Sequence, residues 1–234
     1  MVVRSSRLVF AVAAIVLNAC SAAPPPAPVV AEAPAPEPVD RGASSVESEI
    51  GGMNEEAVDR TFGTLKDPIL KCVEDRAAHV KELGGHFQLA LRVDQAGRAV
   101  SAYLSESTIG DRETERCILD LALGTTWPKP LGGQGLAERS FDVDPPREPI
   151  MWDEKKVKRA VSTVASGLRR CRRGASGQFV ATAYVRPNGR VLAAGVAPPS
   201  AGTDEAVDCI VDTIQKMHFA SPGSRSAKVT FAVP

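Results

Sequence analysis

The chain has 234 residues, with 28 Lys and Arg against 28 Asp and Glu, 44% hydrophobic and 5% aromatic. That length suits one large domain or two small ones, and a net charge of zero excludes a chain basic throughout, as a nucleic-acid coat would be. No apolar run reaches the ~18 residues of a membrane-spanning helix. The balance hides two unlike halves: residues 1–150 carry 15 basic and 22 acidic side chains, residues 151–234 carry 13 and 6.

Arg4 and Arg7 form a basic start, Leu8 to Leu17 is apolar, and Leu17-Asn18-Ala19-Cys20 follows. This is the plan of a secretory signal, with an apolar stretch too short to stay as a span. The four residues resemble the lipobox of bacterial lipoproteins. That resemblance implies a signal peptide over residues 1–19 and a mature N-terminus at Cys20, carrying diacylglyceryl and an amide-linked acyl chain such as palmitate. It also implies sorting to the outer membrane, facing the periplasm, because Ser21 and not Asp follows the cysteine. Residues 20–50 then read as the lipidated cysteine and a Pro/Ala-rich tether, extended because proline fixes φ and removes donors.

The rest contains an internal repeat. At an offset of 92, Phe87 falls on Phe179, Val93 on Val185, Gly97-Arg98 on Gly189-Arg190, Gly110 on Gly202, Glu113 on Glu205, and Cys117-Ile118 on Cys209-Ile210. Upstream the offset becomes 99, and the stripe Val58, Phe62, Leu65, Ile69, Cys72 answers to Val157, Val161, Val164, Leu168, Cys171. The pattern predicts duplication, with units at residues 51–148 and 149–234.

Each copy reads helix–strand–strand–helix–strand. Asn54 and Asp153 are placed to cap the first helices, and Pro68 predicts a kink or restart with Asp67 as the new cap. Phe87, Leu89, Leu91 and Val93 alternate with Gln88, Arg92 and Asp94, as in a half-buried strand. Asp94 to Gly97 and Arg186 to Gly189 read as hairpin turns. Val100, Ala102 and Leu104, answered by Leu192, Ala194 and Val196, continue the buried face. The second helices start near Asp111 and Thr203. Last strands carry Phe141 and Val143, or Val229, Phe231 and Val233. The expected fold is α+β: two tandem αββαβ units, each a small antiparallel sheet with two helices on one face and the other face largely wet. Tyr103 and Tyr184 fall on that wet face and read as surface residues.

Five cysteines sort as Cys20 plus two per copy. Helices that share a sheet face predict the disulfides Cys72–Cys117 and Cys171–Cys209 in an exported chain with thin cores. Tight C-x₂₋₄-C zinc pairs and a C-x-x-C redox motif are absent.

Ile69-Leu70-Lys71-Cys72-Val73-Glu74, Gly85-His86-Phe87, Val93-Asp94-Gln95-Ala96-Gly97-Arg98, Ser105-Glu106-Ser107-Thr108, Cys117 and Trp127-Pro128-Lys129-Pro130 resemble the AgmX/PglI C-terminal domain of myxobacterial gliding and envelope proteins. That family is similar in fold to the C-terminal domain of TonB. The second copy matches through Cys171, Gly177, Phe179, Asn188-Gly189, Cys209 and Phe219. The resemblance implies two TonB-like units acting as a non-enzymatic envelope module that binds or scaffolds other proteins.

No catalytic constellation, cofactor fingerprint or metal-ligand spacing is present. His79, His86 and His218 stand apart, and there is no G-x-S-x-G elbow or G-K-[ST] phosphate cradle. The one electrostatic feature is basic: Lys155, Lys156, Lys158 and Arg159 open a helix that Arg169, Arg170, Arg172 and Arg173 close. The closing group complements the helix dipole; the opening group opposes it. The opening group reads either as a solvated face that serves solubility or as a docking surface, for peptidoglycan, lipopolysaccharide or another anionic polymer, lipid head groups, or the acidic first copy. Nucleic acid is not expected as a partner.

Overall fold

A computed structural model describes residues 50–234; the signal segment, Cys20 and the proline-rich tether lie outside the described residues. The described chain is mixed α+β. Its elements are β1 (Ile50–Gly51), α1 (Glu55–Thr64), α2 (Lys66–Ala77), β2 (Gly85–Val93), β3 (Ala99–Ser107), α3 (Arg112–Gly124), β4 (Gln134–Val143), β5 (Ile150–Trp152), α4 (Lys158–Cys171), β6 (Val180–Val185), β7 (Val191–Ala197), α5 (Asp204–Gln215) and β8 (Ala227–Ala232).

Two four-stranded sheets result, ordered β1-β4-β2-β3 and β5-β8-β6-β7. The long strands pair antiparallel; β1 and β5 are parallel additions of two and three residues. Neither was expected from the sequence, because so short a run carries no periodicity. Both sheets belong to one compact unit.

Caps and turns explain most of the local structure. Asn54 accepts from the Ala57 amide at 2.8 Å, and Asp111 from the Thr114 amide at 3.1 Å, each satisfying an orphan N–H of its helix. At the β2–β3 turn Asp94 accepts from the amides of Ala96 and Arg98, both at 2.9 Å, and Gly97 takes φ 84°. Gly189 repeats that conformation at φ 80°, a region that only glycine enters without penalty. The carbonyls of Gly97 and Gly189 accept from Trp127 and Phe219, each at 2.8 Å, which pins both turns to the chain after α3 and α5.

Two caps differ from expectation. The first helix does restart near Pro68, but Leu65 is the N-cap of α2; Pro68 sits in its first turn, where no intrahelical donor is lost. Asp153 caps a 3₁₀ turn over Glu154–Lys156, and α4 starts only at Lys158, with Val157 before it.

Each sheet has its own core. The first packs Phe62 edge-on against Trp127, with centroids 4.8 Å apart, and stacks Phe87 on Phe141 at 5.1 Å. The second is built from Phe179, Phe219 and Phe231 with Val, Ile and Ala. Cys72–Cys117 ties α2 to α3, and Cys171–Cys209 ties α4 to α5, with Cα separations of 5.9 and 5.3 Å. Closing loops of 45 and 38 residues is worth about 4 kcal/mol each in the chain-entropy model, as an upper figure.

The expected wet face exists on one sheet only. On the first sheet His86, Arg92, Glu106, Glu138 and Asp142 stand in solvent. On the second, Thr182, Tyr184, Ala193 and Lys228 are buried, and Tyr184 belongs to the core of the first half. The reading of Tyr184 as a surface residue is therefore wrong: its ring packs on a surface distant in sequence. Val100 is a second correction. Irregular pairing at Arg92/Val93 breaks the alternation at the start of β3, and Val100 is half exposed.

Candidate functional site

Three places could do something: a contact between the sheets, an open strand edge, and a basic helix. The contact is the most elaborate. β3, the edge strand of the first sheet, packs against β7, the edge strand of the second. Small residues on β7 permit the approach: a Cβ on Gly195 would lie 2.2 Å from the Glu115 carboxylate. Glu115 projects from α3, is 1% exposed, and accepts from Ser107 Oγ at 2.8 Å and from the Val196 amide at 3.2 Å. That amide points away from β6, so a side chain of the first half closes the edge of a strand in the second. Burial pushes the Glu115 carboxyl up to about 7, against the opposing pull of its two hydrogen bonds and the Arg112 charge.

Charges flank it. Arg112 donates to Asp208 at 2.8 Å and to Asp204 at 3.1 Å, and Arg116 to Asp208 at 2.6 Å. Arg112–Asp204 and Arg116–Asp208 each join positions 92 apart, the offset of the repeat. At the other end Gly84 O accepts from Tyr184 Oη at 3.1 Å and from Lys228 Nζ at 2.6 Å. Burial pushes the Lys228 amine down to about 8, partly offset by Glu148. Burial also raises the Tyr184 phenol.

None of Glu115, Tyr184 or Lys228 was singled out from the sequence for this contact. One signal was present: β6 and β7 hold no charged residue, the composition of strands dry on both faces.

The open edge belongs to β4. β1 covers only Gln134 and Gly135; from Leu136 to Val143 no strand lies on that side among the described residues. Similarly, β5 covers β8 only from Ala227 to Val229.

The basic residues predicted to dock are exposed. Lys155 and Lys156 lie in the 3₁₀ turn, and Lys158 and Arg159 open α4. Those four, with Arg169 and Arg170, form no ion pair among the described residues. Arg173 pairs with Glu205, and Arg172 donates to Gly177 O at 2.6 Å and covers the Phe179 ring at 5.8 Å. Among the described residues the opening cations of the basic helix form no ion pair with the first half. The ion pairs that join the halves run the other way, arginines from the first and aspartates from the second.

The histidines do not converge. His86 lies between Asp142, at 3.0 Å, and Glu106, at 3.9 Å, on the wet face. No group of three or more His, Cys, Asp or Glu that could hold a metal occurs among the described residues. No helix among them is long and apolar enough to cross a membrane. Comparison with protein-family models, with curated proteins and with solved structures finds no match to this chain.

Proposed function

We propose that this chain is a non-enzymatic envelope lipoprotein, anchored through Cys20 in the outer membrane, whose two tandem TonB-like αββαβ units bind or scaffold other proteins in the periplasm. The resemblance to the AgmX/PglI family and the 92-residue offset motivate the two units, at residues 51–148 and 149–234. The helix pairs stapled by disulfides, and the same strand order in both sheets, fit that reading. No cofactor takes part in it.

The observation that carries the binding role is the open edge of β4 from Leu136 to Val143. Its outward main-chain groups can pair with an extended segment of a partner, which gives affinity without demanding one sequence. With β3 and β7 packed on each other, β4 has the longest stretch of strand edge with no strand beside it among the described residues. A photo-cross-linking residue at Ser140 tests this in intact cells. The reading expects discrete adducts from Ser140 and none from the exposed turn residue Asn188. Equal labelling at the two sites overturns it.

The unpaired cations favour a second reading, an accessory subunit that grips peptidoglycan or lipopolysaccharide through Lys155, Lys156, Lys158 and Arg159. Co-sedimentation of the protein with purified cell wall at two salt concentrations separates the readings. Binding through exposed charges weakens with salt and on reversal of those four residues to Glu, whereas strand addition responds to neither.

A further inference from the structure

We propose that Glu115 is a proton-operated latch between the two sheets, closing their contact when neutral and loosening it when ionised. This inference concerns the contact alone and does not depend on what the β4 edge binds. The geometry has three parts. The carboxyl group is enclosed, and it bridges β3 of one sheet to β7 of the other through Ser107 and Val196. The space opposite it is filled: a Cβ at position 195 would lie 2.2 Å from the carboxylate, so a larger residue there must displace the group.

Ser107 Oγ donates to one carboxyl oxygen at 2.8 Å while itself accepting the Ile109 amide at 3.2 Å, and the other oxygen accepts the Val196 amide, so the bridge has two neutral donors and no cation of its own. The ionised form must hold a full charge in the same dry space with two neutral donors.

The surrounding charges do not cancel that cost. From α3 and its cap, Arg112 and Asp111 face the group, but Arg112 is engaged by Asp204 and Asp208, and Asp111 by Arg76. β3 presents Ser107 and, across the small gap, Tyr103; β7 presents Gly195 and Val196; from the second half Asp204 is the charged residue that lines the gap, beside the apolar Val207. Tyr184 and Lys228 lie at the far end of the contact, on Gly84.

The sign follows from linkage. A carboxyl that is higher in the closed state, at about 7 against an ordinary 4.5, stabilises closure fully below about pH 4.5. That contribution is lost as pH rises from there to about 7. Lys228 stays mostly charged over this window, because its amine is lowered only to about 8.

Opening releases the Val196 amide, so amide exchange in the intact protein reads the latch. After correction for intrinsic rates, the opening constant at Val196 should rise roughly 30-fold from pH 5 to pH 7, as the carboxyl difference dictates. Core amides on the far side of the first sheet, such as Leu89, should not follow. In Glu115→Gln, which keeps the shape and cannot ionise, the Val196 constant should change less than about twofold. A flat profile in the wild type, or the same rise in Glu115→Gln, overturns the latch. Should that variant fail to fold, the ¹³C titration of the Glu115 carboxyl in the wild type decides: a midpoint near 7 supports the latch, and one in the ordinary carboxylate range removes it.

Discussion

The outer faces of the two sheets share a register and have opposite fates. Arg92 pairs with Leu136 across β2 and β4; Tyr184 pairs with Lys228 across β6 and β8. These pairs occupy the same place, 92 residues apart. In the first sheet both side chains are exposed, Arg92 donating to Gln134 at 3.1 Å and Leu136 standing half in solvent. In the second both are buried, and both reach the carbonyl of Gly84. A sheet face is therefore not wet or dry by its own pattern. It becomes dry when another surface meets it, and here the small side chains of Ala193 and Gly195 let that surface approach.

The sharpest test removes the aromatic anchor. Tyr184→Ala should cost about 3–5 kcal/mol, as large aromatic truncations in cores do, read as a lower urea midpoint. Next comes Gly195→Val, which drives a side chain into the Glu115 carboxylate and should cost about 1–3 kcal/mol by overpacking. Circular dichroism should show secondary structure retained while near-ultraviolet signals from Tyr184 change.

A smaller effect belongs to Lys228. Its amine is lower when folded, about 8, than in an unfolded chain, so the burial penalty is complete below pH 8 and fades as pH climbs toward 10.5. The stability of the wild type relative to Lys228→Met should thus increase between pH 8 and 10; urea titrations at pH 7.5 and 9.5 with no such increase refute the assignment. Smallest is Arg92→Ala, at the position matching Tyr184, which should move stability by less than about 0.5 kcal/mol. If Arg92→Ala cost as much as Tyr184→Ala, the contrast between the faces would collapse.

What the sequence revealed was local. Asn54 and Asp111 cap where their spacing puts them, because a cap needs only the next three residues. The hairpin at Asp94 to Gly97 and its counterpart at Asn188-Gly189 are equally self-contained. The disulfides were legible because repeat-equivalent cysteines on neighbouring helices leave one economical pairing. The contact between the sheets was not. Lys228 reads as a solvent-facing strand residue until the Gly84 carbonyl is brought to it from 144 positions away. Tyr184 looks like an isolated surface aromatic for the same reason. Glu115 sits in the first turn of α3, where an acid is expected for the helix dipole alone. Exposure of the basic cluster was legible for Lys155, Lys156, Lys158, Arg159, Arg169 and Arg170, six cations with no acid between them in the sequence.

The ion pairs Arg112–Asp204 and Arg116–Asp208 have a consequence for self-recognition. Duplicated surfaces that meet at equivalent positions would ordinarily present like to like, and any further copy of the chain could then compete for either face. Here one side of each equivalent pair is cationic and the other anionic. Two first halves brought together in this geometry set guanidinium against guanidinium, and two second halves set carboxylate against carboxylate. Each half is thus matched to its unlike sibling, and neighbouring copies of the chain are steered away from pairing like halves.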